Sequence, residues 1–207
     1  DFGIDVAASR GMVDGHFLVD VLNYYNEFEE LDPVKLKSYP LPVLVDYLEK
    51  SHQYYINKKL PEIEQTLTYF VSSSHEKPGL WGLVELFYLD YKKSLTDHFD
   101  LEEKQLFPYG IALDDFKKGK INFEELVAIK KSFSTDEFMR QHMHGDHELE
   151  LLRNTIRTFT VKKEMKSSYS ILFNQIASLE QDLNIHSQVE DEVLIPKIKE
   201  WETKLFI

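Results

Sequence analysis

Two segments of this chain, 88 residues apart, carry the same pair of metal-capable side chains in the same setting. One is His98-Phe-Asp-Leu-Glu102, leading to Leu106, Phe107 and Pro108; the other is His186-Ser-Gln-Val-Glu190, leading to Leu194, Ile195 and Pro196. A His and a Glu four positions apart lie one above the other on a helix. Upstream, Val84, Tyr88, Tyr91 and Leu95 continue the first register, and Leu172, Ile176, Leu179 and Leu183 continue the second. These alternating steps of four and three mark a helix seam that faces a core. Each pair therefore points inward, where an ionised carboxylate costs several kcal/mol unless it is compensated. A metal cation compensates a carboxylate and takes an imidazole as well, so the chemistry expected here is cation coordination.

Two metals need more than four ligands, and other histidines stand at suitable places. His52 lies on the stripe Val45, Leu48, His52 and Tyr55, among apolar neighbours. The segment Gln141-His-Met-His-Gly-Asp-His147 offers His147 in line with Met139, Met143 and Leu151, with His144 as the alternative ligand or a neighbour of the site. His16 and His75 sit in polar surroundings and are expected to be solvated. Tyr55 is close enough in sequence to His52 to act as a hydrogen-bond donor near the metals. The set His52, His98, Glu102, His147, His186 and Glu190 supplies six ligands, each Glu able to bridge two cations. Nitrogen and oxygen donors without sulfur suit iron, with manganese or zinc as lesser alternatives.

The elements that must position these residues are helices. Strand signals are nearly absent, and long 3.6-period segments bounded by Pro, Gly and Ser recur. Residues 1–38 read as a short helical lead-in and residues 39–207 as a four-helix domain. Helix A is expected from about Leu41 to Lys59, with a continuation towards Phe70. Helix B should open after Pro78 and end at Pro108-Tyr109-Gly110. Residues 111–133 form an insertion. Helix C should start at the capping box Ser134-x-x-Glu137 and run to about Thr160, and helix D from about Ser167 to Pro196. The economical architecture is all-α, an up-and-down four-helix bundle. The stretch Asp114–Glu125 has the first position, glycine and final Glu of a calcium loop, but Phe116 and Lys118 occupy ligand positions, so a plain helical turn is expected.

Composition narrows the function. The chain has 207 residues, 43% of them hydrophobic, with 24 Lys plus Arg against 36 Asp plus Glu, a formal charge of -12. That balance repels phosphate backbones and argues against direct nucleic-acid binding. With no cysteine, disulfides, thiolate zinc sites and cysteine nucleophiles are excluded. No apolar run approaches the roughly 20 residues of a membrane span, and no secretory leader is evident, so no membrane role and a cytoplasmic location are expected.

With these residues in view, the chain resembles the haemerythrin-like domains, most closely the di-iron proteins called repair of iron centres. That family has a His before Leu-Pro on its first helix, His-x-x-x-Glu before Leu-Phe-Pro on its second and fourth, and a lone His on its third. Here these are His52 before Leu60-Pro61, His98 with Glu102, His147, and His186 with Glu190 before Leu194-Ile195-Pro196. The resemblance covers residues 41 to 200. It implies two iron ions bridged by carboxylate, with an oxo bridge as a further option, and places Asp146 where the family often has an acid beside the third-helix His. The family's N-terminal domain usually carries cysteines, whereas this chain has none. Oxygen-carrying haemerythrins use a further His-x-x-x-His that is missing here, so oxygen transport is not expected.

The function implied is a non-haem di-iron protein of the oxidative and nitrosative stress response. It would deliver iron to damaged iron-sulfur proteins, or bind and reduce nitric oxide, oxygen or peroxide. One alternative is an oxygen or nitric oxide sensor coupled to a partner or a further domain. The other is a structural bundle, metal-free or filled by zinc. Ligand histidines must be neutral, so affinity should fall as the pH drops below about 6.

Overall fold

The computed structural model describes residues 14–25, 31–73, 79–142, 148–159 and 163–206. They are helical, and no strand occurs among them. In chain order the helices are α1 (Gly15–Tyr25), α2 (Pro33–Leu36), α3 (Leu41–Tyr54), α4 (Leu60–Ser73), α5 (Leu80–Leu101), α6 (Phe107–Lys117), α7 (Phe123–Lys131), α8 (Thr135–His142), α9 (Glu148–Arg157), α10 (Lys166–Gln188) and α11 (Ile195–Leu205). None is long and apolar enough to cross a membrane.

Three of these junctions have no loop. Tyr55–Lys59 joins α3 to α4, Glu102–Leu106 joins α5 to α6 and Val189–Leu194 joins α10 to α11, each as a wide π turn inside a continuing helix. The bond that marks each turn spans five residues: Leu60 N–H to the Tyr55 carbonyl, Phe107 N–H to Glu102, and Ile195 N–H to Glu190. The next residue is proline every time, Pro61, Pro108 or Pro196. Proline has no N–H, and in a regular helix its ring would press on the carbonyl four residues back. A turn widened just before it removes that conflict, which is how the helix survives the proline. This corrects the expected end of helix B: the chain passes Pro108 and stays helical to Lys117.

The other termini follow local chemistry. Asp32 caps α2 by accepting from Val34 N–H at 3.0 Å and Lys35 N–H at 3.1 Å, with Pro33 at the first helical position. Asn122 and Glu125 form a reciprocal capping box at α7. Just before it, Gly119 takes a φ of 71°, where a side chain would be strained, and ends the α6 turn. Where a plain helical turn was expected over residues 114–125, α6 ends at Lys117, a short non-helical turn follows over 118–122, and α7 begins at Phe123. The Ser134 hydroxyl accepts from Glu137 N–H at 3.3 Å, so the start expected for helix C is observed. Beyond it, α8 ends at His142 and α9 begins at Glu148.

The chain divides into two compact units. One takes the chain up to His52, Asp100–His142 and the chain from Ile185 onward; the other takes Gln53–Phe99 and the chain between His142 and Ile185. The core of the first gathers Phe17, Val21 and Tyr24 from α1, Leu36 from α2, Leu44 and Leu48 from α3, Phe107 and Leu113 from α6, and Val193 and Ile198 near the C-terminal end. Polar pins fix the first two helices there. The Tyr39 hydroxyl donates to Asp20 at 2.7 Å, Lys35 pairs with Asp20 at 2.8 Å, and the buried Lys197 ammonium donates to the carbonyls of Lys37 and Tyr39. The core of the second unit is built from Leu60, Ile63, Leu67 and Phe70 of α4, Val84, Tyr88 and Tyr91 of α5, Leu152 and Ile156 of α9, and Leu172, Ile176 and Leu179 of α10. A buried ion pair lies in that unit: Lys59 meets Asp182 at 2.9 Å and donates to the Ser178 hydroxyl at 2.6 Å.

Candidate metal centre

In the first unit, three buried side chains from three separate stretches of chain converge. His52, in the last turn of α3, is 0% exposed; Glu102, opening the first-unit π turn after α5, is 0% exposed; His186, in the last turn of α10, is 4% exposed. The His52 Nε2 atom lies 3.0 Å from Glu102 Oε2 and 3.1 Å from His186 Nε2. One ligand atom from each of the three lies within 4.8 Å of the others, close enough for a single ion to touch all three. Glu190, 1% exposed in the π turn after α10, brings a carboxylate oxygen within 4.8 Å of one from Glu102. Two buried carboxylates this close repel each other unless cationic charge sits beside them.

The geometry around His52 explains how its charge is set. Its Nδ1 lies 2.9 Å from Glu103 Oε1, so the ring is flanked by a carboxylate at each nitrogen. Burial alone would lower the pKa of this imidazole, but hydrogen bonding and attraction from Glu102 and then Glu103 outweigh burial and raise it above its ordinary 6.5. An imidazole so placed holds its proton to higher pH than usual, which offsets part of the Glu102 charge. Phe107 stacks on the His52 ring at 5.5 Å between centroids with 21° between planes, which fixes the plane of the imidazole.

The other residues singled out from sequence divide as follows. His98 stands one turn before Glu102 on α5, half-buried, with its ring 6.1 Å from that of Phe99, and belongs to the second unit. Tyr55 is buried in the second unit, where its hydroxyl donates to the Asp182 carbonyl at 3.2 Å. His144, Asp146 and His147 lie outside the described residues. His16 is exposed, as expected. Sequence reasoning passed over Glu103. The signal for it was present, since an acid follows the seam glutamate in both copies, Glu102-Glu103 and Glu190-Asp191.

No family model matches the chain, and neither a curated protein nor a solved structure matches it.

Proposed function

We propose that this chain is a non-haem di-iron protein with a haemerythrin-like four-helix bundle, acting in oxidative or nitrosative stress by delivering iron to damaged iron-sulfur proteins or by binding and reducing nitric oxide or related oxygen species. The observation that carries the proposal is the convergence of His52 Nε2, His186 Nε2 and Glu102 in a fully buried place, with Glu190 alongside. Such a set is costly without a cation, and its donors suit one.

The donor set favours iron or manganese: nitrogen and oxygen ligands without sulfur suit these ions, and a set of more than four ligands exceeds what a closed structural zinc site uses. The absence of cysteine and the net charge of -12 point the same way, towards hard cations.

Bound iron would supply redox change and an affinity for small diatomic molecules. The protein's own share is to hold the imidazoles neutral and aligned, to place two carboxylate charges against the cations, and to exclude bulk water with the apolar residues around them. The test is metal content per chain on anaerobically purified protein, with absorption spectra before and after air. About two irons per chain, lost together in His52→Ala and His186→Ala, with a near-ultraviolet charge-transfer band on oxidation, supports the proposal. No metal, or a single zinc that survives both substitutions, overturns it. Turnover of nitric oxide or peroxide by the loaded protein then separates catalysis from iron delivery.

A further inference from the structure

We propose that Glu103 is the positioning residue of this centre, holding His52 by its Nδ1–H in the one orientation and tautomer that present an Nε2 lone pair towards Glu102 and His186. The inference rests on the metal-centre reading above.

A neutral imidazole has two tautomers, and its ring can also flip by half a turn about the bond to Cβ. Stacking on Phe107 fixes the plane of the ring but does not distinguish one flip from the other. A carboxylate at Nδ1 distinguishes both, because only an N–H in that place can donate to it. Glu103 Oε1 is at 2.9 Å, a good hydrogen-bond distance, while the Glu103 side chain is 39% exposed. Water therefore reaches the rest of the carboxylate, so its role does not depend on a fully buried group.

The π turn makes this grip local. Adjacent positions on a regular helix do not face the same partner. At residues 102–106 the turn is widened, and Glu102 and Glu103 close on opposite nitrogens of one imidazole, at 3.0 Å and 2.9 Å. Glu102 reaches the metal-facing edge and Glu103 the solvent-facing edge. A carboxylate bonded to the far nitrogen of a ligand imidazole orients the ring and makes it a stronger donor, and loss of such a partner typically weakens metal binding by about 10- to 100-fold.

The experiment measures Fe(II) affinity of the full chain by anaerobic competition with a chromophoric chelator, and the ligand-field spectrum of the Co(II)-loaded protein. Glu103→Ala should bind Fe(II) about 10- to 100-fold more weakly and shift the cobalt bands. Glu103→Gln retains an amide oxygen that accepts from Nδ1–H; it should recover most of the affinity and return the bands towards wild type. Melting of the metal-free variants checks that both are folded. Wild-type affinity and an unchanged cobalt spectrum in Glu103→Ala overturn this inference while leaving the metal centre intact. Equal losses in both variants with unchanged cobalt bands also overturn it, since that is the signature of lost charge without lost orientation. A wild-type protein that binds neither Fe(II) nor Co(II) removes the metal centre and the role of Glu103 with it.

Discussion

Replacing Glu190 by Gln should make the metal-free protein more stable and the metal-loaded protein less so. Glu102 and Glu190 are 0% and 1% exposed, and their nearest oxygens lie within 4.8 Å. At that separation and an effective dielectric of about 20, two unit charges repel by about 3.5 kcal/mol. The His52 proton between Glu102 and Glu103 offsets part of this, and relaxation of the site removes more, so the net gain expected for Glu190→Gln is about 1–2 kcal/mol. For a chain of this length each kcal/mol moves the melting temperature by about 2–4 °C, giving an increase of roughly 2–8 °C. The amide keeps the size of the side chain and one acceptor oxygen, so packing is largely preserved. The measurement is thermal unfolding by calorimetry and circular dichroism in excess chelator at low salt, repeated after loading with Fe(II). Loaded wild type should gain about 2.7 kcal/mol at a free metal concentration of 100 times Kd, whereas the variant gains little. A metal-free Glu190→Gln protein with native circular dichroism that melts at or below wild type would falsify the electrostatic reasoning.

The other expectations are simpler. The His52 pKa is raised in the folded state, so its contribution to metal-free stability is full below the ordinary 6.5 and is lost as the pH rises through the raised value. Metal binding must displace that proton, so Fe(II) affinity should climb across the same window above pH 6.5, higher than the sequence alone suggests; a pH-independent affinity from 6 to 8 would contradict this. Lys59→Met leaves the Asp182 carboxylate in the core of the second unit without its ammonium and should cost about 3–5 kcal/mol in urea unfolding. Adding Asp182→Leu should restore most of that loss, and a double variant as unstable as the single one would refute the assignment. Tyr39→Phe removes a hydrogen bond to a buried carboxylate and should cost about 1–3 kcal/mol, measured by the same unfolding. The Tyr39 phenol itself, pushed up to about 12 by burial and by Asp20, should titrate later than an ordinary tyrosine, and this variant should lack that part of the alkaline ultraviolet titration.

Much of the site was legible because burial of a charged residue contradicts the helical pattern around it. Glu102, His186 and Glu190 were singled out by the repeat and His52 by its apolar stripe, and the burial expected of all four is observed. Glu103 was not found, because its partner lies 51 residues away and the acid that follows the seam glutamate in both copies reads locally as an ordinary surface charge. The all-helical class followed from periodicity. The π turns were invisible to periodicity, which fits the segments on either side and registers the extra residue only as a change of phase. Proline was therefore read as a stop at Pro108, where it marks a wide turn instead. The helix start at Ser134 was readable since the two residues that mark it, Ser134 and Glu137, are only three positions apart.

The wide turns have a further consequence for how the helices are used. Along α5, Val84, Tyr88 and Tyr91 serve the core of the second unit, while Leu106 at the end of the turn and Phe107 and Leu113 beyond it serve that of the first. The same division occurs from α3 into α4 and from α10 into α11. One surplus residue offsets the downstream half by about 100°, the angle between successive residues on a regular helix. The apolar face on one side of the turn can then differ in phase from the face on the other, without a loop between them. Deleting a single residue within 102–106 would set the Pro108 ring against the carbonyl four residues before it and swing Leu113 off its core.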